Sequence, residues 1–141
     1  MKKAAKVSYY VGMTSSMFIG IWHFFVPWLY GWKQYIPSEY ANLVVLIDWI
    51  NLLFSFFLSG LSILLICWGR KVFDGNKEAI TVFGFMTVVW IFRVVIAVIE
   101  PYPVAVLAWA AYGQFIGSIV IMTMLIFAFV QVRTMAANKK R

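Results

Sequence analysis

The sequence predicts an all-α integral membrane protein, a four-helix bundle with both termini on the cytoplasmic side. Three observations carry this expectation. Of 141 residues, 64% are hydrophobic and 12% charged, and the mean hydropathy is +0.89, outside the composition of an ordinary soluble domain. Four apolar runs reach the length of about 20 residues that a helix needs to cross a bilayer. The basic residues between those runs fall almost entirely on one side. The length suits one transmembrane domain over 1–141, too short to add a separate soluble module.

The N-terminal stretch Met1-Lys2-Lys3-Ala4-Ala5-Lys6 begins like a signal peptide. The apolar run that follows is too long for that and ends in Trp-rich sequence without a small-x-small cleavage site, so it reads as a retained first span, Val7 to Val26. Pro27, Gly31 and Pro37 stop it and open the longest loop, Pro27 to Tyr40, which reads as interfacial. The second span runs from Leu43 to Trp68 and ends at Gly69-Arg70-Lys71, with Asp74-Gly75-Asn76 as a polar turn. The third span is Ile80 to Ile99. Glu100-Pro101-Tyr102-Pro103 leaves room only for a tight hairpin, because the residue before each proline is pushed out of helical geometry. The fourth span is Val104 to Val130. None of these runs alternates apolar with polar residues, which excludes the strands of a barrel.

The formal net charge is +7, but the cations sit in short clusters between apolar runs. Their expected partner is therefore the anionic face of a lipid bilayer, and nucleic acid is excluded. With both termini cytoplasmic, that side receives Lys2, Lys3, Lys6, Arg70, Lys71, Lys77, Arg133, Lys139, Lys140 and Arg141, and the other side only Lys33. This asymmetry orients a multi-pass protein N-in and C-in, and the membrane expected is the cell inner membrane. Trp28, Tyr30, Trp32, Tyr35, Tyr40, Trp49, Tyr102, Trp109 and Tyr112 fall near the outer ends as an aromatic belt.

Lipid tails are as apolar as leucine, so small and polar residues mark the faces on which membrane helices pack. Gly12, Ser16 and Gly20 form a small-xxx-small stripe on the first helix, with His23 next on the same face. The second helix carries Asp48, Asn51, Ser55, Ser59 and Ser62 at helical spacing. The fourth has Gly113 and Gly117 in a GxxxG pair, with Gln114 between them and Ser118 after. Arg93 lies within the third span, where an arginine costs about 2.5–3.5 kcal/mol to insert. It therefore needs a partner, with Asp48 preferred and Glu100, seven residues on, as the alternative. His23, Asp48, Asn51, Arg93, Glu100 and Gln114 all belong to the outer half, and together they form the candidate polar cluster. A quinone head group, another small lipid-soluble ligand or a partner helix would suit such a cluster. The bland alternative is an ion pair with hydrogen-bonded neighbours that only fixes helix register.

No catalytic set stands out. The chain has one histidine and one cysteine, which excludes an intrachain bis-histidine haem, a CxxC pair and a zinc site of ordinary spacing. No cofactor or metal is expected. No Gly-x-Ser-x-Gly elbow or phosphate loop is present. The residues favour a non-enzymatic binding or accessory subunit. A small oligomeric transporter or ion-conducting protein, and a membrane enzyme using His23 and Asp48 as an acid–base pair, stand as alternatives.

The run Gly20-Ile21-Trp22-His23-Phe24-Phe25-Val26-Pro27, with Tyr30 and Ile36-Pro37 after it, resembles the first-helix ending of DoxX-like small bacterial four-helix membrane proteins. Their pattern there is Gly-x-x-His-Phe-x-x-Pro. The resemblance covers about the first quarter of the chain. The arginine common early in that helix is replaced here by Tyr9-Tyr10-Val11-Gly12. What the resemblance implies is a four-helix fold and an accessory or redox-associated membrane subunit, working with a quinone, a membrane-protein partner or further copies of itself.

Overall fold

The computed structural model describes residues 2–101 and 108–138, with side chains in the second stretch from residue 112 onward. The hairpin residues Tyr102 and Pro103, the start of the fourth span at Val104, the side chain of Trp109 and the terminal Lys139, Lys140 and Arg141 lie outside the described residues. Everything described is helix, turn or short connection, with no strand. The helices are α1 (Lys2–His23), the short α2 (Val26–Leu29), α3 (Ala41–Asp74), α4 (Lys77–Ile99) and α5 (Ala108–Asn138), with 3-10 turns at Trp32–Gln34 and Ser38–Tyr40. By length and composition α3, α4 and α5 are each able to cross a membrane.

α1 has the length for a crossing, about 33 Å at 1.5 Å per residue, but a lower hydropathy. The cause lies partly on its packed side. Tyr9, Gly12, Ser16 and Gly20 are all buried, while Val7, Val11, Phe18, Ile21 and Trp22 are exposed. Its polar and small groups thus face other helices, and its outward face is apolar, the reverse of a soluble amphipathic helix.

Two of the expected helix stops are not where the sequence placed them. α1 stops at His23, and Pro27 does not end it. Pro27 sits in the first turn of α2, where its missing N–H costs nothing. Further on, Gly69 does not end α3, because one glycine inside a long apolar helix costs only about 1 kcal/mol. The helix continues to Asp74 and closes at Gly75, whose φ of 92° suits a residue without Cβ. There Asn76 N donates to Lys71 O (3.0 Å) and Gly75 N to Val72 O (3.3 Å), the bond pair of a Schellman motif. Asn76 then caps α4, its side chain accepting from Ala79 N at 2.8 Å, as N-cap asparagines do.

The chain divides into two compact units, one of Met1–Met13 with Leu65–Arg141 and the other of Thr14–Leu64. In the first, α4 packs on α5, and the core holds Tyr9, Met13, Leu65, Phe83, Met86, Trp90, Leu125 and Val132. Tyr9 is central to it. Its hydroxyl donates to the Leu65 carbonyl, and its ring meets Phe73 and Phe83 edge-on at centroid distances of 5.4 and 4.8 Å. The second unit has a different interior, built from Ser16, Gly20, Asn51, Ser55, Leu58, Ser59 and Ser62. Small and hydroxyl groups replace bulk there, and helix backbones approach closely.

Candidate functional site

In the residue 14–64 unit, Gly20 marks the closest helix approach. A Cβ placed on it would lie 2.6 Å from the Ser59 backbone nitrogen, inside van der Waals contact. One turn earlier the Ser16 and Ser62 hydroxyls share a hydrogen bond of 2.9 Å. Ser55, Ser59 and Ser62 donate to the carbonyls of Asn51, Ser55 and Leu58 at 2.6, 2.6 and 2.7 Å. These hydroxyls donate to the backbone four residues earlier, so the serine stripe lets helices pack closely.

His23 closes α1. Its Nδ1 lies 2.7 Å from the Ile19 carbonyl, which can only accept, so Nδ1 carries a proton. Its ring packs edge-on against Phe54, with centroids 5.1 Å apart. Asn51 Nδ2 donates to the His23 carbonyl at 2.7 Å, supplying one of the donors that the last carbonyls of a helix lack. His23 and Asn51 are thus brought together, through the histidine backbone. Asp48 has a partner that sequence reasoning assigned only to the loop: its carboxylate pairs with Lys33 at 3.3 Å. The Lys33 side chain is 70% exposed, so this pair resembles a surface ion pair worth at most about 1 kcal/mol.

Arg93 belongs to the other unit, and its contact differs from the expected pairing with Asp48 or Glu100. Arg93 Nε donates to Ser118 Oγ at 3.1 Å, and Ser118 passes its own proton to the Gln114 carbonyl at 2.7 Å. The guanidinium carbon lies 6.0 Å from the Trp90 ring centroid, at the edge of cation–π range. Trp90 is three residues earlier, so the side chain leans along the usual Cβ direction toward the helix N-terminus and away from Glu100. Glu100 is exposed at the end of α4.

Two helix stripes explain where this cation sits. On α5, Ser118, Ile121, Leu125, Ala128 and Val132 are all buried and recur every three or four residues. Gln114 is the next residue on that stripe, and it is exposed. On α4 the buried stripe Phe83, Met86, Trp90 continues to half-buried Arg93 and then to exposed Glu100. Both core-facing stripes leave the core at the same end of the helix pair, and each carries polar residues where it does so. Arg93, Gln114 and Ser118 form the mouth of the α4–α5 interface, above a floor containing Trp90.

Gly12 packs against Leu125, whose Cδ2 would lie 2.7 Å from an added Cβ, while at Gly113 and Gly117 an added Cβ would meet nothing within 4 Å. The α1 small residues are therefore packing positions, and the α5 pair packs against none of the described residues. Among the described residues no three or more His, Cys, Asp or Glu side chains are grouped to hold a metal ion. Sequence reasoning passed over Lys33, Trp90 and Ser118 as partners. Ser118 alone carried a signal, since it falls one turn after Gln114 in register with the buried stripe. Comparison with protein-family models, curated proteins and solved structures gives no match.

Proposed function

We propose that the protein is a four-crossing bacterial inner-membrane protein, N-in and C-in, that works as a non-enzymatic binding or accessory subunit. Its binding site is centred on Arg93, with Gln114 beside it. A DoxX-like four-helix bundle is the fold we assign to it. The α1 surface supports a fourth crossing, since its outward residues Val7, Val11, Phe18, Ile21 and Trp22 suit lipid. The resembled motif also has a physical use for three of its four marked residues. Gly20 permits close approach to Ser59, His23 ends α1, and Pro27 opens α2.

One observation carries the binding reading. An arginine within an apolar helix is costly and demands a partner, yet the contact Arg93 makes is with a neutral hydroxyl. A register-fixing ion pair would have a carboxylate in that place. A cation whose one hydrogen-bond partner among the described residues is Ser118 suits an incoming group, from a lipid-soluble ligand such as a quinone or from a membrane partner. The serine stripe is buried where helix backbones approach closely, which weighs against the conducting alternative. The Asp48 carboxylate pairs with Lys33, which weighs against the enzyme alternative, where it would serve His23.

The test is extraction of tagged wild type and Arg93→Gln in mild detergent, with mass spectrometry of whatever accompanies each. The wild type is expected to carry a small molecule or partner subunit that the variant lacks, while both insert at equal levels. Identical companions for the two proteins would refute the reading.

A further inference from the structure

Arg93 lies six residues from the end of α4 at Ile99 and sixteen from its start at Lys77, about 9 Å and 24 Å of helix respectively. An arginine held only by its need for water would snorkel along the shorter route. Arg93 instead leans back toward Trp90 and anchors Nε on Ser118. Ser118 is 3% exposed, and its proton is committed to the Gln114 carbonyl, so it presents a lone pair to Arg93 and holds the guanidinium plane. Among the described residues the two terminal Nη groups have no hydrogen-bond or ion-pair partner. They form a fixed fork of N–H donors, the geometry that matches the two oxygens of a carboxylate or phosphate.

Among the described residues the surface beside this fork is apolar. Phe92, Ile96 and Ile116 are 63%, 43% and 59% exposed on the same stretches of α4 and α5, and Gly113 and Gly117 add no side chain to the surface beside Gln114. A hydrated inorganic anion gains nothing from such surfaces, whereas an acyl chain can lie on them. Resting on the binding reading above, we infer that the Arg93 fork takes the oxyanion head of a lipid-soluble acid, a carboxylate or phosphate carried on an apolar chain, and not a neutral quinone. Gln114 stands at the entrance, where its amide can bond an oxygen of the head group that Arg93 does not reach.

The test uses the full chain in nanodiscs of zwitterionic lipid, titrated with palmitate, methyl palmitate, decylubiquinone and acetate. Saturable palmitate binding is expected, at least about tenfold tighter than methyl palmitate, since a charge-assisted bidentate contact is lost with the ester. Acetate should bind more weakly than palmitate by a similar factor. Arg93→Gln should lose the palmitate preference, and Arg93→Lys, which keeps the charge without the fork, should recover only part of it. Palmitate binding that matches methyl palmitate, matches acetate, or persists in a folded Arg93→Gln protein would overturn the inference. Arg93-dependent binding of decylubiquinone in place of palmitate would overturn it while leaving the binding reading intact. Absence of any Arg93-dependent ligand, together with unchanged companions on extraction, would remove both.

Discussion

Gly20 has no room for a methyl group, because its Cβ position is already within 2.6 Å of the Ser59 nitrogen. Backbone atoms cannot rotate away as a side chain can, so Gly20→Val must push the helices apart. We expect it to destabilise the protein by about 1–3 kcal/mol or more, read as a lowered unfolding midpoint in detergent. Gly117→Ala, whose added Cβ packs against none of the described residues, should shift that midpoint by no more than about 0.5 kcal/mol. Equal effects of the two would contradict the packing described. Asn51→Ala removes a donor from the His23 carbonyl and should cost about 1 kcal/mol. These packing residues were legible in the sequence, because a small-xxx-small stripe needs only helical period to be seen. The partners of Arg93 and Asp48 were not. Which way a long side chain leans depends on its rotamer and neighbours, and Lys33 stands in a loop where no period places it.

At the scale of elements, the α3–α4 connection shows how local chemistry ends one helix and starts the next. Gly75 adopts φ 92° and Asn76 caps the helix that follows. Gly75→Ala should therefore cost about 1 kcal/mol or more through backbone strain, and Asn76→Ala about 1 kcal/mol through the lost cap. Thermal unfolding of the two variants checks both, and a neutral Gly75→Ala would mean that the turn has another conformation in the membrane. The Asp74-Gly75-Asn76 turn was legible because its residues are turn-formers at the end of an apolar run. The longer reach of α3 past Gly69 was not, since a lone glycine stops a helix only where the backbone needs positive φ. The mouth of the α4–α5 interface was half-legible. Arg93 and Gln114 stood out as polar residues in apolar runs, but their position where two buried stripes leave the core follows from burial, which the sequence does not contain.

For the whole molecule, charge distribution and helix lengths lead to a topology that experiment can decide. With four crossings, a fluorescent reporter at the C-terminus should be active in the cytoplasm, and a reporter that works only outside should be active when placed in the 27–40 loop. A C-terminal reporter found outside would reduce the crossings to α3, α4 and α5 and withdraw the place assigned to α1. The central claim is that the polar mouth at Arg93 serves binding and does not hold the helices together. The most direct measurement is the unfolding midpoint of Arg93→Met in delipidated detergent, beside wild type and Gly20→Val. If Arg93 awaits a ligand, replacing an ill-partnered cation by an apolar side chain of similar reach should leave the midpoint unchanged or raise it. A fall as large as that caused by Gly20→Val would contradict the claim and make Arg93 a structural residue.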